Sequence, residues 1–141
     1  MKKTILSFDL DYDYIIVGIS CHYKDYRLVF LINQNLGLHF VKQADHILNI
    51  KNSENQQFFS LFKDQNVQEE INFYLLNNRS EFGYLIPEYK QADYIFIAEN
   101  TEESIIEQLN YLGKIKNING VLTAFNIDFE LLKNKSNLIF E

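Results

Sequence analysis

A chain of 141 residues, 47% hydrophobic and 15% aromatic, has the material for one packed domain and does not read as a disordered tail. Its net charge of −6 opposes non-specific binding to nucleic acid or to anionic lipid, because both need a positive field. Its one cysteine, Cys21, excludes an internal disulfide and fits a reducing compartment.

Lys2 and Lys3 imitate the basic start of a signal peptide, but the apolar run after them is short and is broken by Asp9, Asp11 and Asp13. No stretch approaches the length of a membrane span. The expectation is a soluble cytoplasmic protein forming a single domain over residues 1–141.

Thr4–Leu10 reads as a first strand. Tyr14–Ser20 is a second, and its nearly continuous apolar run predicts a strand buried on both faces. Gly18 interrupts that run and predicts a bulge or a close neighbouring backbone. Asp25 is placed to cap a helix running through Leu36. Leu28, Leu31, Ile32 and Leu36 form its apolar stripe, and Gly37 supplies the stop.

Leu38–Val41 is then a short strand. Phe58–Lys63 and Ile71–Leu76 read as a strand pair, with Asp64-Gln65-Asn66 as the turn. The alternation of Ile71, Phe73 and Leu75 with Asn72 and Tyr74 predicts one wetter face. Tyr94–Ala98 is another strand. Asn100 or Thr101 caps a predicted helix reaching Leu112, with Gly113 as its terminator, and Val121–Ile127 follows as a strand. The tail at Asn137–Phe140 is too apolar for a free end and is expected to dock.

This order predicts an α+β fold: a ferredoxin-like (split βαβ) sandwich with extra antiparallel strands and two main helices on one sheet. The link from Ile115 to Gly120, between a helix and an apolar strand, resembles a detail of small-molecule-sensing ACT domains. That likeness says little about function.

The stretch from Ile86 to Tyr94 holds the only proline, Pro87, beside acidic and aromatic residues. Proline fixes its own φ and pushes Ile86 toward an extended conformation, so Pro87 at a first helical position predicts a single turn feeding the Tyr94 strand. Glu88 and Asp93 then cap amides or pair with a base. The alternative reading makes Glu88, Asp93 and Tyr94 a ligand or partner surface.

Three blocks of sequence resemble the bacterial family named for its IPExxxVDY motif. The first is His22–Leu28 continuing to Asn33 and Leu36-Gly37. The second is Leu85-Ile86-Pro87-Glu88 through Asp93-Tyr94. The third is Leu132–Phe140. Ala92 stands where the family motif has valine. The resemblance implies a small non-secreted protein and assigns no catalytic residue.

Other groups raise chemistry that the pattern does not complete. Asp9, Asp11 and Asp13 share one face of an extended strand and are candidate oxygen ligands for a hard cation. The alternative is a charged strand that resists aggregation. An EF-hand loop starting at Asp9 is excluded, since Tyr14 and Ser20 stand where glycine and glutamate are needed. Cys21, His22, His39 and His46 lack zinc-ligand spacing, and Cys21 and His22 point to opposite faces of a strand.

Lys114, Lys116, Lys133 and Lys135 read as a solvated basic cluster. Asp25, Tyr26 and Arg27 open the first helix. Arginine is scarce here beside lysine, so Arg27 is expected to make a bidentate pair with Glu88 or Asp93. No phosphate loop, nucleophile elbow or dinucleotide fingerprint is present, and no cofactor is implied. The functional expectation is a non-catalytic domain that binds a protein partner or a second copy of itself. A small-ligand sensor is the alternative, and a metal-dependent enzyme using the three aspartates is the third reading.

Overall fold

The apolar run around Ile16–Ile19 becomes β2 (Asp13–Cys21), an interior strand of the principal sheet in a computed structural model that describes residues 4–5, 13–49, 54–64, 71–100, 110–133 and 135–140. The other elements are β1 (Thr4–Ile5), α1 (Asp25–Leu36), β3 (Phe40–Lys42), β4 (His46–Asn49), β5 (Gln56–Phe59), β6 (Leu61–Asp64), β7 (Asn72–Asn77), β8 (Arg79–Ser80), β9 (Gly83–Tyr84), β10 (Tyr94–Asn100), α2 (Tyr111–Lys116), β11 (Val121–Asn126) and β12 (Ile139–Phe140). The principal sheet is six-stranded, in the order β11-β2-β10-β7-β6-β3, and each neighbouring pair in it is antiparallel. The fold is mixed α+β.

The period of two along each strand distributes the core over both faces of the sheet. Val17, Ile19, Phe73, Leu75, Phe96 and Ala98 face the helices, where Leu28, Val29 and Ile32 of α1 and Tyr111 and Ile115 of α2 meet them. Ile16, Tyr74, Leu76, Ile95 and Ile97 face the other way. They are covered by Leu85, Ile86 and Ala92, and by a C-terminal strap carrying Ile127, Phe129, Leu132 and Leu138. Tyr74 is therefore buried, contrary to the wetter face expected there: the strap supplies an apolar cover that strand periodicity does not reveal.

Helix α1 ends where expected. Gly37 adopts φ 69°, a left-handed conformation favourable to glycine, and its amide donates to the Asn33 carbonyl. Its start differs by one residue. Lys24 is the N-cap, and Asp25 is the first helical residue, its Oδ1 accepting from the Tyr26 amide at 2.6 Å. The strand after α1 is held by Asn33, whose Oδ1 accepts from the Phe40 amide at 2.8 Å.

Gly18 does mark a close approach, but by a side chain. A Cβ there would lie 2.6 Å from the Phe125 ring. The irregular register falls on β11 instead, between Val121 and Thr123.

Two expected features change within the described residues, the Phe58–Lys63 strand and the helix stop at Gly113. Phe58–Lys63 is divided at Ser60: β5 turns away to pair with β4, a strand not foreseen, while β6 stays in the principal sheet. The predicted turn beyond Asp64 lies outside the described residues. So does most of the predicted second helix, residues 101–109. Gly113, expected as its terminator, sits inside α2. Asn110 begins that helix at φ 46°, a region asparagine tolerates, and its Oδ1 accepts from the Gly113 amide at 3.2 Å. A Cβ at 113 would come within 2.6 Å of Asn110 Nδ2, so glycine makes room for the cap. The tail docks as expected, with β12 pairing antiparallel to β1 and Leu138 fully buried.

Candidate functional site

Pro87 does start a single turn. Ile86 is extended at φ −120°, and Pro87–Tyr89 forms a 3-10 turn with proline in its first positions. The Tyr89 amide donates to the Ile86 carbonyl, and the Ala92 amide to the Tyr89 carbonyl. The chain then enters β10, where the Asp93 amide donates to the Ile19 carbonyl.

The residue organising this turn is Asn78, which is fully buried. Its Oδ1 accepts from the Ile86 amide at 2.7 Å, and its Nδ2 donates to the carbonyls of Tyr89 and Ala92, each at 2.9 Å. Its own amide donates to the Asp93 carbonyl, and its carbonyl accepts from the Leu85 amide. Asn78 thus stands in for a strand partner, satisfying buried backbone groups that a turn cannot pair within itself. Nothing in the Asn77-Asn78 dipeptide marks it in the sequence as other than loop chemistry.

The motif carboxylates are engaged, though not with Arg27. Asp93 Oδ1 pairs with Arg79 Nη2 at 3.0 Å, and Oδ2 accepts from the Cys21 amide at 2.9 Å. Glu88 Oε2 accepts from the Lys133 amide at 2.7 Å, tying the turn to the strap. Arg27 instead lies over the Tyr23 ring, 4.1 Å from its centroid. The expected Arg27 pairing is therefore wrong. Asp93 meets Arg79 from the β8–β9 hairpin, because strand pairing delivers Asn78 and its neighbour to the start of β10.

The Tyr94 hydroxyl donates to the Tyr23 carbonyl. Burial, with Asp25, Cys21 and Asp93 adding repulsion, pushes that phenol well above its ordinary value and keeps it a donor. Cys21 is buried, and burial raises its thiol pKa too, which works against a nucleophilic thiolate. Ala92 is fully enclosed against the strap side of the sheet.

Asp9 and Asp11 lie outside the described residues. Asp13 opens β2 and pairs with Asn100 in register. Among the described residues no group of three or more His, Cys, Asp and Glu side chains is placed to hold a metal ion. Another buried polar residue went unforeseen, and His46, weighed in the sequence only as a zinc ligand, takes another role. Glu99 is buried near the end of β10, and its Oε1 accepts from Asn72 Nδ2 at 3.2 Å. His46 Nε2 lies 2.7 Å from the Asn137 carbonyl and donates to it.

Burial lowers the His46 pKa below the ordinary 6.5, so the folded state favours the neutral ring. The unfolded chain then takes up a proton first as the pH falls. The His46 contribution to stability is full above about pH 6.5 and is lost as the pH drops through the lowered folded value. His46→Gln is expected to flatten the loss of stability between about pH 7 and pH 5 in denaturant titrations. An unchanged slope would contradict this assignment.

The lysine cluster is split by the sheet. Lys114 and Lys116 ride on α2 on the helix side, while Lys133 and Lys135 belong to the strap on the opposite face. Among the described residues no helix is long and apolar enough to cross a membrane.

Large apolar side chains reach solvent at several places, among them Leu131 at 74%, Leu122 at 61% and Phe58 at 52%, and on the outer face of α1 two of them stand together. Tyr26 is 68% exposed and Phe30 64%, one turn apart, with Arg27 exposed beside them. Among the tyrosines whose side chains are described, Tyr26 alone is exposed. Compared with protein-family models and with curated proteins, the chain matches none.

Proposed function

We propose that this chain is a non-catalytic protein-interaction domain that binds through the outward face of α1. The observation that carries the reading is the Tyr26–Phe30 pair. The opposite side of the same helix is buried through Leu28, Val29 and Ile32, so the fold gives these two aromatics no internal task. Aromatic and arginine side chains are the residues that anchor protein interfaces, and Arg27 sits beside the pair, held by its stack on Tyr23.

The resemblance to the IPExxxVDY family belongs to the same proposal. Its second block is consumed by the Asn78-centred turn, which supports a fold-fixing role for Pro87 and leaves Tyr26 of the first block as the contact residue. The succession β11-β2-β10-β7 also supports reading the fold as an expanded ferredoxin-like plan, with β6 and β3 as the added strands. The buried Cys21 suits work in a reducing cytoplasm.

The test is affinity purification from the native cell with mass spectrometry, using wild type and Tyr26→Ser/Phe30→Ser. Both side chains stand mostly in solvent, so the variant is expected to keep its stability within about 0.5 kcal/mol. A specific protein retained by wild type and lost from the variant is the expected result. Identical retention by the two chains would overturn the proposal.

A further inference from the structure

Resting on the α1 surface proposed above, we infer that the helix-side face takes an acidic segment of another protein, one that sets one or two apolar side chains among aspartates and glutamates. Among the described residues of the two helices and their caps, the charge is opposite in sign to that of the whole chain. Lys24 at the N-cap of α1 and Arg27 within it are exposed, as are Lys114 and Lys116 on α2, which contacts α1. Among the described residues of the two helices and their caps the carboxylate is Asp25, which is half-buried and accepts from the Tyr26 amide.

The net charge of −6 would by itself repel an acidic partner. Charges beyond about 8 Å are screened at physiological salt, so the local cations govern the encounter. Arg27 lies over the Tyr23 ring, 4.1 Å from its centroid, and a guanidinium has N–H donors enough to meet a carboxylate beside such a contact.

Two other occupants fit less well. A two-fold contact between copies centred on Tyr26 and Phe30 would bring both Arg27 guanidinia within about one helical turn of each other. An anionic lipid surface needs a broader apolar stripe. Here the position one turn beyond Phe30 is Gln34, exposed and polar.

The experiment selects binders from a displayed random 16-residue peptide library on the intact chain, with counter-selection on Tyr26→Ser/Phe30→Ser. The expected pool is net negative with embedded apolar residues. An enriched peptide should lose at least about tenfold in affinity with Lys24→Glu/Arg27→Glu, and again as salt rises from 50 to 300 mM. A neutral or basic pool that still depends on Tyr26 and Phe30 overturns the acidic partner and leaves the α1 surface standing. A pool indifferent to Tyr26 and Phe30 overturns both. A dimer in sedimentation that the aromatic variant abolishes, or preferential binding to phosphatidylserine vesicles, overturns the acidic protein segment in favour of the other occupants.

Discussion

Asn78→Ala is expected to lower the unfolding free energy by about 3–5 kcal/mol, one of the largest effects of any single polar substitution in this chain. The substitution removes three side-chain hydrogen bonds, those to the Ile86 amide and to the Tyr89 and Ala92 carbonyls, of which the Tyr89 carbonyl keeps the Ala92 amide. Each bond contributes about 1 kcal/mol net, and buried groups left unpaired cost more. The melting temperature should fall by roughly 10–15 °C. Asn78→Asp keeps the acceptor for Ile86 but loses both donors and sets a carboxylate against two carbonyl oxygens, so it should be at least as damaging. Chemical denaturation of the two variants checks this, and a loss under about 1 kcal/mol for either would show that the turn holds without Asn78.

Phe96→Ala is the apolar counterpart, with an expected loss of about 3–5 kcal/mol. Phe96 is fully buried at the middle of the helix-side core. Its ring meets Phe40 edge-on at 6.2 Å, Phe73 at 6.0 Å and Tyr111 of α2 at 5.7 Å. Truncation leaves a cavity bordered by an edge strand, an interior strand and a helix, and rigid aromatic neighbours collapse into it poorly. Phe96→Leu keeps more of the volume and should cost less than half as much, by the preference of cores for conserved volume. Urea unfolding followed by far-ultraviolet circular dichroism measures both. Equal losses for Ala and Leu would mean that shape, not cavity, sets the cost.

The two variants probe opposite sides of one sheet, and that division explains how legible each side was. On the helix side the apolar spacing of α1 was readable because Leu28 and Ile32 recur at the helical period. Gly37 was a stop because glycine reaches φ > 0 without strain. The strap side has no such period. Phe129, Leu132 and Leu138 lie in short 3-10 turns and extended links, so their burial follows from the sheet they land on rather than from their own pattern. Tyr74 was misjudged for the same reason.

The Pro87 turn was readable because proline acts on its own φ and on the residue before it, which are local constraints. The choice of partners was not. Arg27 and Arg79 are equivalent as letters, and only the pairing of β7 with β10, which sets Asn77 opposite Tyr94, brings Arg79 to Asp93. The sequence by itself determined the interior strand β2, the limits of α1 within one residue, and the extended entry to Pro87, since each rests on chain-local geometry and periodicity. Tertiary structure alone decided that Asn78 is a buried hub, that Asp93 belongs to Arg79, and that Tyr26 and Phe30 face solvent. Burial and partnership are properties of the packed chain, set by contacts between segments that no local pattern encodes.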